Sequence, residues 1–250
     1  MIRSLPAALA VLCPAAALAG GTIAGTVRAD PRLPAPPAIR ITKDAAVCGA
    51  EAKGESLVMT ADGGVANVVV SIQGLRTGVP PSPTAGAGVD QVRCRYAPHV
   101  QAVTVGTTLS VVNADAVLHN VHGTRWPGEA HVTVFNVAMP LKGQRLPVLL
   151  DRPGTLKLRC DAGHPWMSAY VHVFDHPYFA VTDAAGRFAI RDVPAGEHTL
   201  EYWHEPFGDQ QAPLTATVTV HVRDGKATTS DWTLSPAPRS ADFASGDPKR

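Results

Sequence analysis

The sequence predicts an all-β protein of two β-sandwiches, and three observations carry that reading. Gly and Pro number 22 each in 250 residues, so turns must be frequent. Runs of β-branched residues such as Asn67-Val68-Val69-Val70-Ser71-Ile72 recur, and long windows of Ala, Leu, Glu and Lys are missing. After residue 90, short alternating segments follow one another at even spacing, each bounded by Gly, Pro or a polar turn, as in sandwiches and barrels. Hydrophobic residues make up 45% and charged residues 17%, enough for a sizeable core and against disorder, collagen-like repeats or a coiled coil. Lys and Arg total 22 against 21 Asp and Glu, so the near-neutral chain has no electrostatic footprint for nucleic acid or an anionic membrane.

Residues 1–19 place one cation, Arg3, ahead of an apolar stretch that ends in Ala17-Leu18-Ala19, and read as a secretory signal peptide cut after Ala19. Pro6 and Pro14 interrupt that stretch, and no other window approaches the roughly 18 to 20 apolar residues of a membrane span, so a periplasmic or secreted protein with no membrane span is expected. A lipoprotein reading on Cys13 meets Leu12 where a small residue is needed. The segment GTIAGTVR, Gly21 to Arg28, alternates like an opening strand, and DPRLPAPPA after it is a Pro-rich connector. The run Asn67 to Ile72 suits a strand buried on both faces. Gly78 to Asp90 is a linker by composition and marks a domain boundary. The strands VQAVTV, TLSVVN, HVTVFNV, RLPVLL, TLKLRC and AYVHVFD then build the first sandwich. Beyond Asp175 a second rhythm begins, punctuated by turns at Asp183 to Gly186 and Val193 to Gly196. The tail from Pro236 has neither periodicity nor bulk apolar residues and is expected to be disordered.

Without the leader three cysteines remain, and an odd number in an oxidising compartment needs an account. The simplest is a Cys48–Cys94 disulfide that leaves Cys160 as a thiol with another task; a buried free cysteine that only packs is the alternative. The neighbours of Cys160 favour the first. Cys160-Asp161-Ala162-Gly163-His164-Pro165-Trp166-Met167 offers a thiolate, an imidazole and a thioether at the end of a strand, a donor set that suits copper cycling between Cu(I) and Cu(II). A second imidazole is available at His119, where a strand ends in a turn and delivers it to a loop.

The run PHVQAVTVGTTLSVVNADAVLHNVH followed by LKLRCDAGHPWMSAYVHV resembles the cupredoxins, blue-copper electron carriers of Greek-key β-sandwich fold. The resemblance covers roughly Asp90 to Asp175. It implies copper ligands at His119, Cys160, His164 and Met167, with Asn113, Asp115 and Asn120 in the places of the family's N-x-D-x-x-x-H-N motif. Asn113, Asn120 and His122 would surround the ligands. The His-to-Met spacing is shorter than in the commonest single-copper loops and looks like the latter half of the dinuclear loop of cytochrome oxidase subunit II. That loop needs a second Cys four residues before Cys160, where Leu156 stands, so one copper is implied. The flanks, GTIAGTV and TDAAGRFAIRDVPAGEHTLEYWHE, resemble the carboxypeptidase regulatory-like or transthyretin-like sandwich. The expected division is therefore 20–89 joined with 176–235 as a smaller, Ig-like or transthyretin-like sandwich, with the cupredoxin unit 90–175 inserted and a tail at 236–250. Three consecutive β units are the alternative.

These residues imply a single-electron carrier with an unidentified redox protein as partner, and no enzyme. A copper carrier or store, or a sandwich that binds a partner or glycan around structural copper, are the other readings. Oxidases and nitrite reductases commonly use H-x-H pairs, whereas His119 and His122 are spaced H-x-x-H. His99 and His131 read as surface histidines, and Met59 and Met139 as packing residues. Trp203-His204-Glu205 begins an H-E-x-x-H motif, but Gly208 stands at the second histidine position.

Overall fold

The computed structural model describes residues 20–75, 81–126, 132–208 and 212–236. The expected signal peptide and all but the first residue of the expected tail lie outside them, as does His131. The first stretch holds β1 (Gly21–Ala29), β2 (Ile39–Arg40), a short helix α1 (Ala45–Cys48), β3 (Glu51–Ala52) and β4 (Val69–Ile72). Next come β5 (Gly88–Gln91), β6 (Tyr96–Ala97), β7 (Val100–Thr104), β8 (Thr107–Asn113), β9 (His119–Trp126), β10 (Thr133–Met139), β11 (Arg145–Leu150), β12 (Gly154–Arg159) and β13 (Ser168–Phe174). The last are β14 (Phe179–Val181), β15 (Arg187–Val193), β16 (Gly196–His204), β17 (Leu214–Val222), β18 (Ala227–Thr229) and β19 (Trp232–Leu234).

The chain is all-β and forms two sandwiches. In one, a five-stranded sheet in the order β10-β9-β12-β13-β7 faces a four-stranded sheet in the order β11-β8-β5-β6. Period-two patterning aims one side of each strand inward: Leu109 and Val111 of β8 and Leu156 and Leu158 of β12 meet Val121, Val171 and Val173 in one buried core. The other sandwich packs a sheet centred on β1, which pairs β15, β18 and β19, against a sheet in the order β14-β4-β16-β17. Its core holds Ile23, Val27, Val70, Ile72, Ile190, Leu200 and Tyr202. Gly186 has a φ of +76°, and a Cβ there would overlap the Val27 carbonyl, so only glycine closes the Asp183–Gly186 turn against β1.

Two strands are buried on both faces because the sandwiches abut. In β4, Val70 and Ile72 face their own core while Val69 turns outward; in β13, Ala169, Val171 and Val173 face inward while Tyr170 turns outward. Val69, Val100, Tyr170 and Trp203 join in a third apolar cluster at the seam between the sandwiches. The unbroken burial of Val69 to Ile72, Ser71 included, reflects this double coverage.

The expected 20–89 segment does not stay with one sandwich. Ile41, Cys48 and Ala52 pack into the core of the β7–β13 sandwich, and β5 pairs in parallel with β8. The physical reason is a disulfide: Cys48 is bonded to Cys94, 46 residues away, which pins α1 to that sandwich. The apolar residues of this stretch are too few and too scattered among polar and small residues to show in sequence which core they would join.

Candidate metal centre

Two loops at one end of the β7–β13 sandwich converge. The first joins β8 to β9. The buried Asn113 amide donates to the carbonyls of Val117 (3.0 Å) and Met139 (2.7 Å), while its oxygen accepts from the Asp115 amide (2.9 Å). One side chain thus closes the turn at both ends. His119 is not in a loop, as expected from the sequence, but opens β9 opposite Met139, because that closure lets pairing with β10 begin immediately. Met139 packs in the core with its sulfur accepting from Gln91 Nε2.

The second loop leaves β12 at Cys160 and enters β13 after Met167. Gly163 takes a φ of +89°, and the Met167 amide donates to the His164 carbonyl (3.0 Å), which closes a tight turn around Pro165 and Trp166. Met167 is buried in the same core as Cys160. Asn120 ties the two loops together. Its backbone N–H points to Cys160 Sγ (3.3 Å), its side-chain oxygen accepts from the Asp161 amide (3.2 Å), and its amide nitrogen donates to Asn136 (2.7 Å).

The structure brings His119, Cys160 and His164 together, each with one donor atom within 4.8 Å of the others. Cys160 is a free, buried thiol with Sγ 3.6 Å from His164 Nδ1. His119 Nδ1 is buried and has no hydrogen-bond partner, a costly state unless something else occupies its lone pair. Two overlapping groups among the described residues are already engaged. Cys48 and Cys94 are bonded to each other, and Asp115 accepts from the Arg93 and Cys94 amides and from His119 Nε2. A thiolate and two imidazole nitrogens are the set left to hold a soft or borderline metal ion.

Each histidine is backed by a carboxylate on its far nitrogen. His119 Nε2 donates to Asp115 (2.8 Å) and His164 Nε2 to Asp44 (2.9 Å), which in the neutral ring puts the proton on Nε2 and turns the Nδ1 lone pair toward the centre. Burial pulls the His164 pKa below its ordinary value, and Asp44 offsets this only in part. Asp44 lies at the N-cap of α1 with a φ of +54°, yet its side chain makes no cap and is committed to His164 instead. Lys43 donates to the Ala162 carbonyl beside it (2.5 Å), and Trp166 packs edge-on to His164 while its indole N–H reaches the Cys94 carbonyl (3.1 Å). Residues 43–48 therefore cap the loop, and both imidazoles are fully buried. Asp44 was not found in the sequence, since a single Asp 120 residues before its partner leaves no periodic or motif signal.

His122 stands apart from the three donors. It contacts Asp161 (2.7 Å) and Thr133 (2.8 Å) and steadies the start of the Cys160 loop. His99 is not on the surface as expected but buried at the seam, where Glu205 holds it.

No protein-family model matches the chain, and no curated protein does. Parts of it are similar to solved structures. One is a copper-containing nitrite reductase from Thermus scotoductus SA-01, at 21% identity and a TM-score of 0.31 over 42% of this chain, which spans 26% of that enzyme. A purple cupredoxin from Nitrosopumilus maritimus has 28% identity and a TM-score of 0.31 over 35% of this chain and 99% of its own. An oxidised proline-to-alanine variant of amicyanin has 30% identity and a TM-score of 0.31 over 42% and 98%.

Proposed function

We propose that His119, Cys160, His164 and Met167 would hold one copper ion, and that the chain carries single electrons between protein partners in an exported setting. The unpartnered, buried His119 Nδ1, facing a free thiol and a second imidazole, is the observation that carries the reading. Copper bound there would supply one-electron chemistry between Cu(I) and Cu(II). The protein's own part is to hold the donors still. Asn113 closes the His119 turn, Asn120 N–H donates to the sulfur, and Asp115 and Asp44 fix the ring orientations. A site whose imidazoles are fully buried gives a substrate no direct approach, which suits outer-sphere electron transfer better than catalysis. The buried Cys48–Cys94 bond supports an oxidising compartment. No helix among the described residues is long and apolar enough to cross a membrane.

The test is the visible and paramagnetic-resonance spectrum of protein loaded with one equivalent of Cu(II). The wild type should show an intense thiolate-to-copper band; Cys160→Ser should abolish it, and His119→Ala should convert the resonance to that of ordinary tetragonal copper. If both variants kept the wild-type spectrum the site would be misassigned. Rapid metal exchange without an intense band would identify a carrier instead.

A further inference from the structure

The Trp203-His204-Glu205 sequence that fails as a metalloprotease motif ends β16 at the seam, and its carboxylate has a different task. Glu205 is 5% exposed, and its Oε1 meets Nε2 of His99, itself 7% exposed. His99 Nδ1 donates to the carbonyl of Ser168 (2.9 Å), the residue that follows Met167, and the Tyr170 amide donates back to the His99 carbonyl (2.8 Å). A carbonyl only accepts and a carboxylate accepts, so both ring nitrogens carry hydrogen and a buried imidazolium–carboxylate pair spans the two sandwiches. Glu55 lies 4.0 Å from the same ring and is itself paired with Arg95 (3.5 Å), while the His204 ring turns back to the Glu205 carbonyl (2.8 Å).

His99 is the last residue of a stretch, Arg93 to His99, that touches each part of the metal centre. The Arg93 and Cys94 amides donate to Asp115, which holds His119; the Cys94 carbonyl accepts from Trp166; and the Tyr96 hydroxyl donates to the Asn120 carbonyl. One end of this strap is bonded through Cys94 to Cys48. Its other end is held by a residue of the neighbouring sandwich, Glu205.

We propose that Glu205 is a positioning residue for the metal-binding loop, acting across the seam through His99 and the Ser168 carbonyl, so that the second sandwich is a working part of the centre. The inference rests on the reading of that loop as a copper site. Glu205→Gln keeps the shape of the side chain and removes its charge. Val69→Ala, which thins the apolar seam without touching the relay, is the control.

The experiment has a metal-free and a loaded arm. In metal-free protein, nitrogen NMR should find both His99 ring nitrogens protonated at pH 7 in the wild type. In Glu205→Gln, hydrogen exchange of the Met167 and Tyr170 amides should accelerate by about tenfold or more over Val69→Ala at matched global stability. In the copper-loaded arm, Glu205→Gln should shift both the thiolate band and the midpoint potential, while Val69→Ala leaves both at wild-type values. Should Glu205→Gln fail to fold, Glu205→Asp retains the charge at a shorter reach and is expected to show the same changes in smaller measure. A neutral His99 in the wild type would overturn the proposal, as would equal exchange rates in the two variants. So would a loaded Glu205→Gln or Glu205→Asp protein with wild-type band and potential. A wild type that binds no copper sinks the copper reading alone, and the metal-free arm still decides whether Glu205 orders the loop.

Discussion

Acidification from pH 7.5 to 5 should weaken the metal-free protein through its buried imidazoles, His172 foremost. This residue stands on the outward face of β13, 5% exposed, with Nδ1 on Thr155 Oγ1 (3.1 Å) and its ring edge-on to Trp203 at 4.3 Å. Burial drops its pKa from 6.5 to about 3. The unfolded chain takes up this proton near pH 6.5 and the folded chain does not until about pH 3, so the stabilisation is complete above 6.5 and is lost as pH falls toward 3. At pH 5 the unfolded side chain is roughly 1.5 units below its pKa, and at ~1.4 kcal/mol per unit the folded state loses about 2 kcal/mol. Burial lowers His164, His176 and His204 as well, and they add to the acid sensitivity. In His99, Glu205 and Glu55 more than reverse the effect of burial, so this residue opposes it. His172→Leu separates the contributions. Urea unfolding of both proteins at the two pH values should show the wild type losing about 2 kcal/mol more than the variant. Equal losses, or a folded-state His172 resonance that titrates near pH 6.5, would refute the reasoning.

Two further outcomes follow from the site. Replacing Cys48 and Cys94 together by Ala should cost about 4 kcal/mol of unfolding free energy by the chain-entropy relation for a loop of this length, measured by urea unfolding; denatured wild-type protein lacking residues 1–19 should titrate a single thiol, and three thiols would contradict the pairing. Asp44→Ala removes the acceptor from His164 Nε2 and should weaken metal binding by about 10- to 100-fold, read by competition with a chromophoric chelator; unchanged affinity would show that Asp44 serves only to cap the loop.

The all-β class was legible because strand burial leaves a period-two trace in each local segment, as in Thr107 to Asn113. The proposed metal donors were legible for a related reason. Cys160, His164 and Met167 share one loop, so their spacing is a local property, and His119 follows a short turn whose Asn113 and Asp115 are also local. The pairing of Cys48 with Cys94 came from counting, since removal of the leader left an odd thiol to be explained.

What only the tertiary structure decided are the contacts between residues far apart in the chain. Asp44 meets His164 across 120 residues and Glu205 meets His99 across 106, and neither pair leaves a periodic or spacing signal. The same limit misplaced the 39–52 segment, which the Cys48–Cys94 bond and a few apolar side chains carry to the β7–β13 sandwich. It also misplaced His99, which as an isolated polar residue after a proline reads as exposed. Whether a polar side chain is buried depends on which sheet arrives to cover it, and here β16 of the second sandwich brings both the cover and the countercharge. Local patterning writes strands and loops into the sequence; packing of one sheet face against another chooses the partners of His99 and His172, and the disulfide-pinned α1 segment supplies that of His164.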